Sequence, residues 1–582
     1  PFPGIKHLCF LRSPYPHARL IDIDISAALK MPGVYSVLTG DKISAITDPL
    51  VSAIRAPVTY YPIAVEKVRY VGEPVALVIA DDRYLGEDAA EVINVTYEEL
   101  PAVVDPLEAI KATAPFLHEK VGSNVLHDRQ FVYGDPDNAF AEADHVIKLN
   151  WRYPKQSATP METFGVIAQF ERQPDRYSVW SNFQGPYILQ PIMARALRVS
   201  GNFLRLISAP FSGGSFGLKQ SIYPYIVLLA AASRISGLPL KWTEDRLEHL
   251  MASSSAADRA DELEAAFASD GTLLGLRFKN CVNVGAYVRA PEPASVYRMH
   301  AASNGCYAVK NISIQNKLVS TNKMPVGLNR GYGGPQFYYG LERMMDLTAR
   351  KLNIDTAEIR RKNFIPKDQF PYHSPAGAIY DSGNYSEALD LLLKLSNYEN
   401  IKQRRKQARA AGKLFGIGMG AGVEPSGSNM AYVTLAQTAE ERKRAGGRSG
   451  GTAVASVTID PTGAVSVNLD STPAGQGHQT VAAQIVADIL GLSPSKIKVN
   501  TALDTGTGGW SLASGNYSNR FSSIVITSLT RSAEKIAMKL RKIAANILEV
   551  ATEDIELVDG GARVVGIPDT AIPLSLIHIS EP

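Results

Sequence analysis

Three long polar side chains, Gln184, Arg330 and Gln476, sit among glycines just ahead of segments with helical periodicity. A helix start offers unpaired N–H donors and the positive end of a dipole, and glycine lets a backbone approach a ligand closely. A side-chain amide or guanidinium at such a joint adds directed hydrogen bonds to a polar or anionic group held there. The first joint is "NFQGPYILQPIMARAL", with Gln184 before Gly185 and Pro186. The second, "APFSGGSFGLKQSIYPYIVLLAAA", brings Gly214, Ser215, Phe216, Gly217 and Gln220 to the head of an apolar helix. The third, "VGLNRGYGGPQFYYGLERMMDL", packs four glycines into residues 327–334 around Arg330, Gly331 and Tyr332. The fourth, "DSTPAGQGHQTVAAQIVADIL", carries Gln476, Gly477 and His478. Any one of these is what a helix start looks like in a large protein. Four together suit one large, anionic ligand with many contacts.

Each joint needs a strand behind it and a helix ahead. "YSVWS" and "LRLIS" read as strands, and Pro335 falls at a first helical position, where its fixed φ and missing N–H cost nothing. Phe337, Leu341, Met344, Met345 and Leu352 then fall on one helix face. Further along, Val457 and Ile459 alternate with polar residues, as do Val465, Val467 and Leu469. The "DPTG" between them predicts a β-hairpin. In the N-terminal region "VGEPVALVIADD" reads as a buried strand, "RYLGEDAAEVI" as a short amphipathic helix and "NVTYEEL" as a half-exposed strand. The expected class is mixed α/β, or α+β. The expected division is a domain over 1–112, a linker over 113–140, a second region over 141–395 and a third over 396–582. Residues 384–412 read as a charged helical bridge, and 437–451 as an exposed basic loop.

The bulk properties narrow the partners. The chain has 582 residues, with 60 basic against 57 acidic giving a net charge of +3, too balanced for a nucleic-acid or membrane-surface partner. Three scattered cysteines form no CxxC pair, so neither a disulfide scaffold nor a cysteine-held cluster is expected, and a reducing, cytoplasmic setting suits them. The longest apolar run, residues 225–235, is about half of a membrane span. "GGSFGLKQ" lacks the Gly-Lys-Ser/Thr of a phosphate loop. "GIGMGAGVEPSG" (416–427) imitates a dinucleotide fingerprint without the helix that must follow, and reads as a strand and turn. A nicotinamide-dependent dehydrogenase using that turn is the weaker rival. The chain opens in mid-pattern on proline, and the closing "PLSLIHISEP" continues no periodicity and resembles translated adapter DNA. Both ends read as those of a fragment.

Taken together, several stretches resemble one family, the large molybdenum-binding subunits of the xanthine dehydrogenase/aldehyde oxidase group (molybdenum hydroxylases), in their bacterial separate-subunit form. "LRSPYPHARLIDIDISAALKMPGVYSVLTGDK" and "RYVGEPVALVIADDRYLGEDAAEVINVTYEELPAVVD" resemble its α/β hammerhead domain. "PMETFGVIAQF", "GGSFGLK", "NRGYGGPQ", "IRRKN" and "GQGHQT" resemble motifs of its two-part molybdopterin-binding region, the second part incomplete here. The resemblance implies a molybdenum–molybdopterin cofactor, in the cytosine dinucleotide form, with the metal held by the pterin dithiolene and by no protein ligand. It implies roles for Gln184 near the metal and for Gly214, Ser215, Phe216 and Gly217 in the loop whose backbone approaches it. Arg330, Gly331 and Tyr332 would stand beside metal and substrate. Gln476, Gly477 and His478 would contact the cofactor, as would Ser514, Ser518, Asn519 and Arg520, although "SGNYSNR" departs from the family's usual wording. Gln184 and Arg330 would act in catalysis, with Tyr332, Gln220, Glu292 and Arg298 facing the substrate.

The implied reaction is oxidation of an sp² carbon of an N-heteroaromatic or aldehyde, with water as the oxygen source. Electrons would pass to a 2Fe-2S small subunit and an FAD-binding medium subunit, in a dimer of heterotrimers. A non-catalytic paralogue that binds cofactor or partners is one alternative. A carbon monoxide dehydrogenase-like subunit is another, disfavoured because Gly331 and Tyr332 stand where that version's loop carries a cysteine. Gln220, where purine-oxidising members have glutamate, argues against a xanthine-like substrate. No Gly-x-Gly-Glu occurs, so the family's general base is missing from these residues and the fragment by itself is expected to be inactive. Glu162 and Glu292 read as ordinary carboxylates near the pocket, and Arg289 and Arg298 as arginines able to meet a substrate carboxylate or carbonyl.

Overall fold

The computed structural model describes every residue except 1, 55, 174, 428–430, 445–451, 509, 512–513 and 580–582. Two large sheets and a smaller third layer carry the chain. The larger sheet has seven strands in the order Leu204–Ser208, Asp175–Ser181, Gly165–Arg172, Leu240–Thr243, Lys6–Arg12, Pro74–Ala80 and Val34–Thr39. Lys6–Arg12 runs parallel to Leu240–Thr243, with Lys6 opposite Leu240, so this sheet crosses the boundary expected near residue 112. Every residue of Pro74–Ala80 is buried, as an unbroken apolar run in a central strand requires. Helices α1 (Pro186–Ala196) and α2 (Tyr223–Ser236) pack in the same core. Tyr223 through Ser233 of α2 are all buried, because the helix is apolar all round.

The second sheet orders Val125–Tyr133, Asn311–Ser320, Leu273–Gly285, Asp258–Phe267 and His145–Tyr153. The stretch expected as a linker thus supplies an edge strand: Val125–Tyr133 pairs antiparallel with Asn311–Ser320. Its Val132 and Gln130 face outward among charges, which gives a polar edge strand the look of a loop in the sequence. Helix α3 (Gly334–Leu352) lies against this sheet, with Phe337, Leu341, Met344 and Met345 buried in its core and Leu352 partly so. The segment 416–427 contains neither helix nor paired strand. It runs over α3, where Ala421 N–H donates to Glu342 Oε2 at 2.9 Å and Val423 N–H to the Tyr338 hydroxyl at 3.0 Å. Side chains of α3 therefore do for this segment what a sheet neighbour would.

The third layer begins with the expected hairpin, Ala455–Ile459 against Val465–Leu469, extended by the parallel strand Ile497–Asn500. Helices α4 (His478–Leu490) and α5 (Ile526–Leu548) cover it. Of the basic loop expected over 437–451, residues 439–444 form a short helix and 445–451 lie outside the described residues. The segment expected to add nothing to the pattern does join it: Leu574–Ile579 is helical and Leu574 is buried in this third core.

N-terminal and second regions also meet through a polar seam. Glu73 is 2% exposed, accepts from the Tyr287 hydroxyl at 2.7 Å and from Arg69 N–H at 2.6 Å, and burial pushes its carboxyl up to about 7. Arg289 is fully enclosed nearby, donating to Ser253 O and to the Tyr60 hydroxyl at 3.2 Å. That enclosure among tyrosines makes Arg289 part of the seam.

Candidate functional site

Gln184 leaves the strand Asp175–Ser181 and is 6% exposed at the head of α1. Its Oε1 accepts a short hydrogen bond from Ser215 Oγ, and its Nε2 donates to Asn516 O at 2.7 Å. One amide therefore joins three segments distant in sequence. Gly185, at φ 83°, caps α1 where a Cβ would lie 2.7 Å from Gly515 Cα and 3.4 Å from Gln220 Nε2. Only glycine permits both that conformation and that approach.

Gln220 is 0% exposed, and neither end of its amide has a hydrogen-bond partner among the described residues. Ser221 Oγ and Ser514 Oγ are likewise buried without partners there. Buried polar groups are almost always satisfied, so such a group of orphans marks a place where a polar molecule belongs. No three His, Cys, Asp or Glu side chains gather as a metal-ligand set among the described residues. The donors here are amides, hydroxyls and backbone, which suit an oxygen- and nitrogen-rich organic group rather than a bare ion.

The glycine loop 211–217 lies beside this joint. Gly214 (φ 95°), Phe216 (φ 52°) and Gly217 (φ 100°) all take the left-handed region, and a Cβ on Gly217 would lie 3.1 Å from the Leu328 backbone. The loop is tied down by Glu162, whose Oε2 accepts from Lys219 Nζ at 2.7 Å, from Ser212 Oγ at 3.0 Å and from Gly213 N–H. Burial opposes the charge of Glu162, but Lys219 and the Gly213 N–H outweigh it and hold the carboxyl below its usual range. Glu162 is a brace, as an ordinary glutamate would be.

Arg330 is exposed and sets its guanidinium 5.2 Å over the Phe216 ring. Behind it, Gly331 (φ 85°), Tyr332 (φ 27°) and Gly333 (φ 85°) are three consecutive left-handed residues before α3. Tyr332 is 7% exposed and faces Glu292, itself 1% exposed. Arg298 donates to Gly331 O at 2.6 Å and is paired with Glu424. Arg298, expected to face substrate, also braces this turn through its guanidinium. Glu424 lies in the stretch that mimicked a dinucleotide fingerprint, and no spacing rule in the sequence connects it to Arg298.

The remaining loops close the ring. Ser518 (φ 52°) donates through Oγ to Pro425 O at 3.1 Å, and Asn519 (φ 53°) donates to Ser426 Oγ at 3.3 Å. Arg520 is 1% exposed, with its guanidinium 5.5 Å over the Tyr517 ring. His478 stacks on Phe521 with ring centroids 3.7 Å apart, and burial lowers its pKa to about 4, which keeps it neutral. Gly477 (φ 76°) caps α4, while Gln476 is exposed and folds its Oε1 back onto Ala474 N–H at 2.6 Å. Gln479 ties this helix start to the root of the glycine loop, donating to Pro210 O at 3.2 Å. All four joints therefore meet. Gln476 is turned onto its own loop.

The chain matches known proteins over nearly its whole length. Residues 1–101 match the aldehyde oxidase and xanthine dehydrogenase a/b hammerhead domain, and 117–364 and 391–578 each match a molybdopterin cofactor-binding domain. The chain is 34% identical to the nicotine 6-hydroxylase large subunit of Paenarthrobacter nicotinovorans, over 98% of this chain and 69% of that one. It is also 34% identical to the carbon monoxide dehydrogenase large chain of Hydrogenophaga pseudoflava, over 95% and 70%. Among solved structures, quinoline 2-oxidoreductase from Pseudomonas putida 86 superimposes with a TM-score of 0.88 at 30% identity, covering 99% of this chain and 72% of that one.

Proposed function

The chain belongs to the aldehyde oxidase/xanthine dehydrogenase family as a molybdopterin-binding large subunit of a molybdenum hydroxylase, and on that premise we propose that its substrate is an N-heteroaromatic or aldehyde oxidised at an sp² carbon. Molybdopterin, when bound, supplies the redox centre for an oxidation that takes its oxygen from water. The chain's own part is to bind, orient and exclude. Gln184, bonded at both ends of its amide, is held in one orientation at the joint. Gln220 offers a donor and an acceptor with no competing partner among the described residues, which suits the polar edge of a heterocycle or of the cofactor. Arg330 places a positive charge at the mouth, where Phe216 lends it an apolar and aromatic flank.

The site assignments rest on one observation above the others: the unpartnered Gln220 amide at the meeting of Gly185 and Gly515. The cytosine dinucleotide form of the cofactor suits a ring of loops that extends as far as Gln476–His478 and Ser518–Arg520. Partner subunits carrying 2Fe-2S and FAD, in a dimer of heterotrimers, suit a chain whose three cysteines are all buried and scattered and whose relatives are named as large subunits. Charge balance and the wide spacing of the cysteines favour the cytoplasm and no nucleic-acid partner. No helix among the described residues is long and apolar enough to cross a membrane. Carbon monoxide oxidation gains no support at the turn, where Gly331 and Tyr332 stand and Cys306 lies buried in a separate core. The test is to purify the full-length protein with its partner subunits, assay molybdenum, and follow dye reduction with quinoline, nicotine and benzaldehyde. About one molybdenum per chain with turnover of one of these supports the reading. Fully active protein free of molybdenum sinks it.

A further inference from the structure

The turn that carries Arg330 is held from behind by one short segment. Three consecutive left-handed residues, one of them a tyrosine, persist only where the surroundings over-determine them. Residues 292–298 provide those surroundings at three points. Arg298 Nη1 donates to Gly331 O at 2.6 Å. Ser295 O packs so closely under Gly333 that a Cβ there would lie 1.9 Å from it. Glu292 Oε2 accepts from Ser295 Oγ at 2.7 Å and from Ser295 N–H at 3.3 Å, while the Tyr332 hydroxyl faces the same carboxyl group.

Glu292 Oε1 is buried and has no hydrogen-bond partner among the described residues. The charged groups around it are few. Arg259, on the strand Asp258–Phe267, is 4% exposed and donates to Ser295 O at 2.7 Å, with its Nε unpartnered among the described residues. Asp261 on the same strand sits beside Arg259 and is itself pushed up to about 6 by burial. Arg298, on Glu292's own segment, is engaged by Glu424. Among the described residues, Oε2 is bonded to Ser295 rather than to a cation.

We propose that Glu292 is a positioning residue for the Arg330–Tyr332 turn, acting through Ser295 and Tyr332, and that the turn is held tightly when Glu292 is uncharged and loosens when it ionises. The proposal rests on the placement of Arg330 at the site and names what regulates it. Burial raises the Glu292 carboxyl to about 7, above Arg259's opposing pull. The sign follows: a raised carboxyl means the native packing favours the protonated form, so the stabilisation is full below about 4.5 and is lost as pH rises to about 7.

The test compares wild type, Glu292→Gln and Asp261→Asn in the assembled holoenzyme by hydrogen–deuterium exchange of the peptide spanning 328–336. Exchange is corrected for intrinsic rates from pH 6 to 8.5. Wild-type protection should fall about tenfold between pH 6 and 7 and level off above, because a carboxyl raised from 4.5 to about 7 loses its stabilisation as pH rises to the raised value. Glu292→Gln, which mimics the uncharged acid, should stay protected throughout, while Asp261→Asn should track wild type. The kcat of wild type should show the same inflection and that of Glu292→Gln should lack it, with KM little changed. Identical pH dependence in wild type and Glu292→Gln overturns the proposal, as does a flat wild-type profile. Because exchange needs no turnover, failure of the hydroxylase reading would show separately, as a protein without molybdenum.

Discussion

Gln184 donates to the carbonyl of Asn516 at 2.7 Å across 332 positions of sequence, and the same amide accepts from Ser215. This one side chain locks the head of α1 to the glycine loop and to the 514–520 loop. Gln184→Ala should therefore lower retained molybdenum or activity by about tenfold to hundredfold, the usual effect of removing an orienting partner around a metal centre. Metal analysis of the purified complex, alongside an unchanged far-UV spectrum, checks it. Full retention of metal and activity would remove Gln184 from the site.

Two glycines separate conformational strain from collision. At Gly377 (φ 98°) an added Cβ would meet nothing within 4 Å, whereas at Gly333 (φ 85°) it would be driven to 1.9 Å from Ser295 O. Gly377→Ala should cost about 1–2 kcal/mol, the left-handed penalty alone. Gly333→Ala should lower the thermal midpoint several-fold more and disturb the Arg330 turn. Equal midpoints for the two variants would mean that the Ser295 contact is not what holds the turn.

The joint itself was readable from residue types. Pro335, the glycines around Arg330 and the apolar spacing of α3 specify a helix start by local chemistry, and the helix begins at Gly334. The "DPTG" hairpin was readable for the same reason, with Ile459 opposite Val465. What resisted was partnership over distance. Val125–Tyr133 looks like a linker because an edge strand among charges keeps no clean apolar alternation. Glu424 gives no local sign of meeting Arg298, since their pairing depends on how the segment 416–427 crosses α3. Glu292 has the same character: its burial is a property of the turn above it rather than of its neighbours in the chain.

Arg205 and Asp504 join the first sheet to the third layer through a fork, Nε to Oδ1 at 2.9 Å and Nη2 to Oδ2 at 2.5 Å. Arg205 holds the Asp504 carboxyl below its ordinary value, so this contribution is present at neutral pH and is lost as pH falls through the lowered value. Both side chains are partly exposed, which limits the pair to about 0.5–1 kcal/mol of coupling. A double-mutant cycle with Arg205→Ala and Asp504→Ala at pH 7 should read that coupling, and the coupling should shrink as the cycle is repeated at progressively more acid pH. Undiminished coupling in acid would contradict the pairing.

The seam carboxyl of Glu73 behaves oppositely. Its value is raised to about 7, so the folded chain retains a proton that the unfolded chain has released. Stability on this account is greatest below about 4.5 and declines as pH rises to about 7, by an amount on the order of 3 kcal/mol. Glu73→Gln should remove that decline, so its thermal midpoint should gain on wild type between pH 5 and 8. A constant difference between the two across that range would show that Glu73 does not titrate there.

The ring of loops around Gln220 draws on residues from Gln184 to Arg520, and its closing contacts reach back from Asn516 and Ser518. A nascent chain still on the ribosome has the first joint long before the last. Until residue 520 has emerged and folded back, α1 faces an unfinished cavity in which Gln184 lacks Asn516. The ring is thus complete only after its last loop has folded back onto its first. A chain that stops short of residue 520 would thus carry Gln184 and the glycine loop without the contacts that close the ring around them.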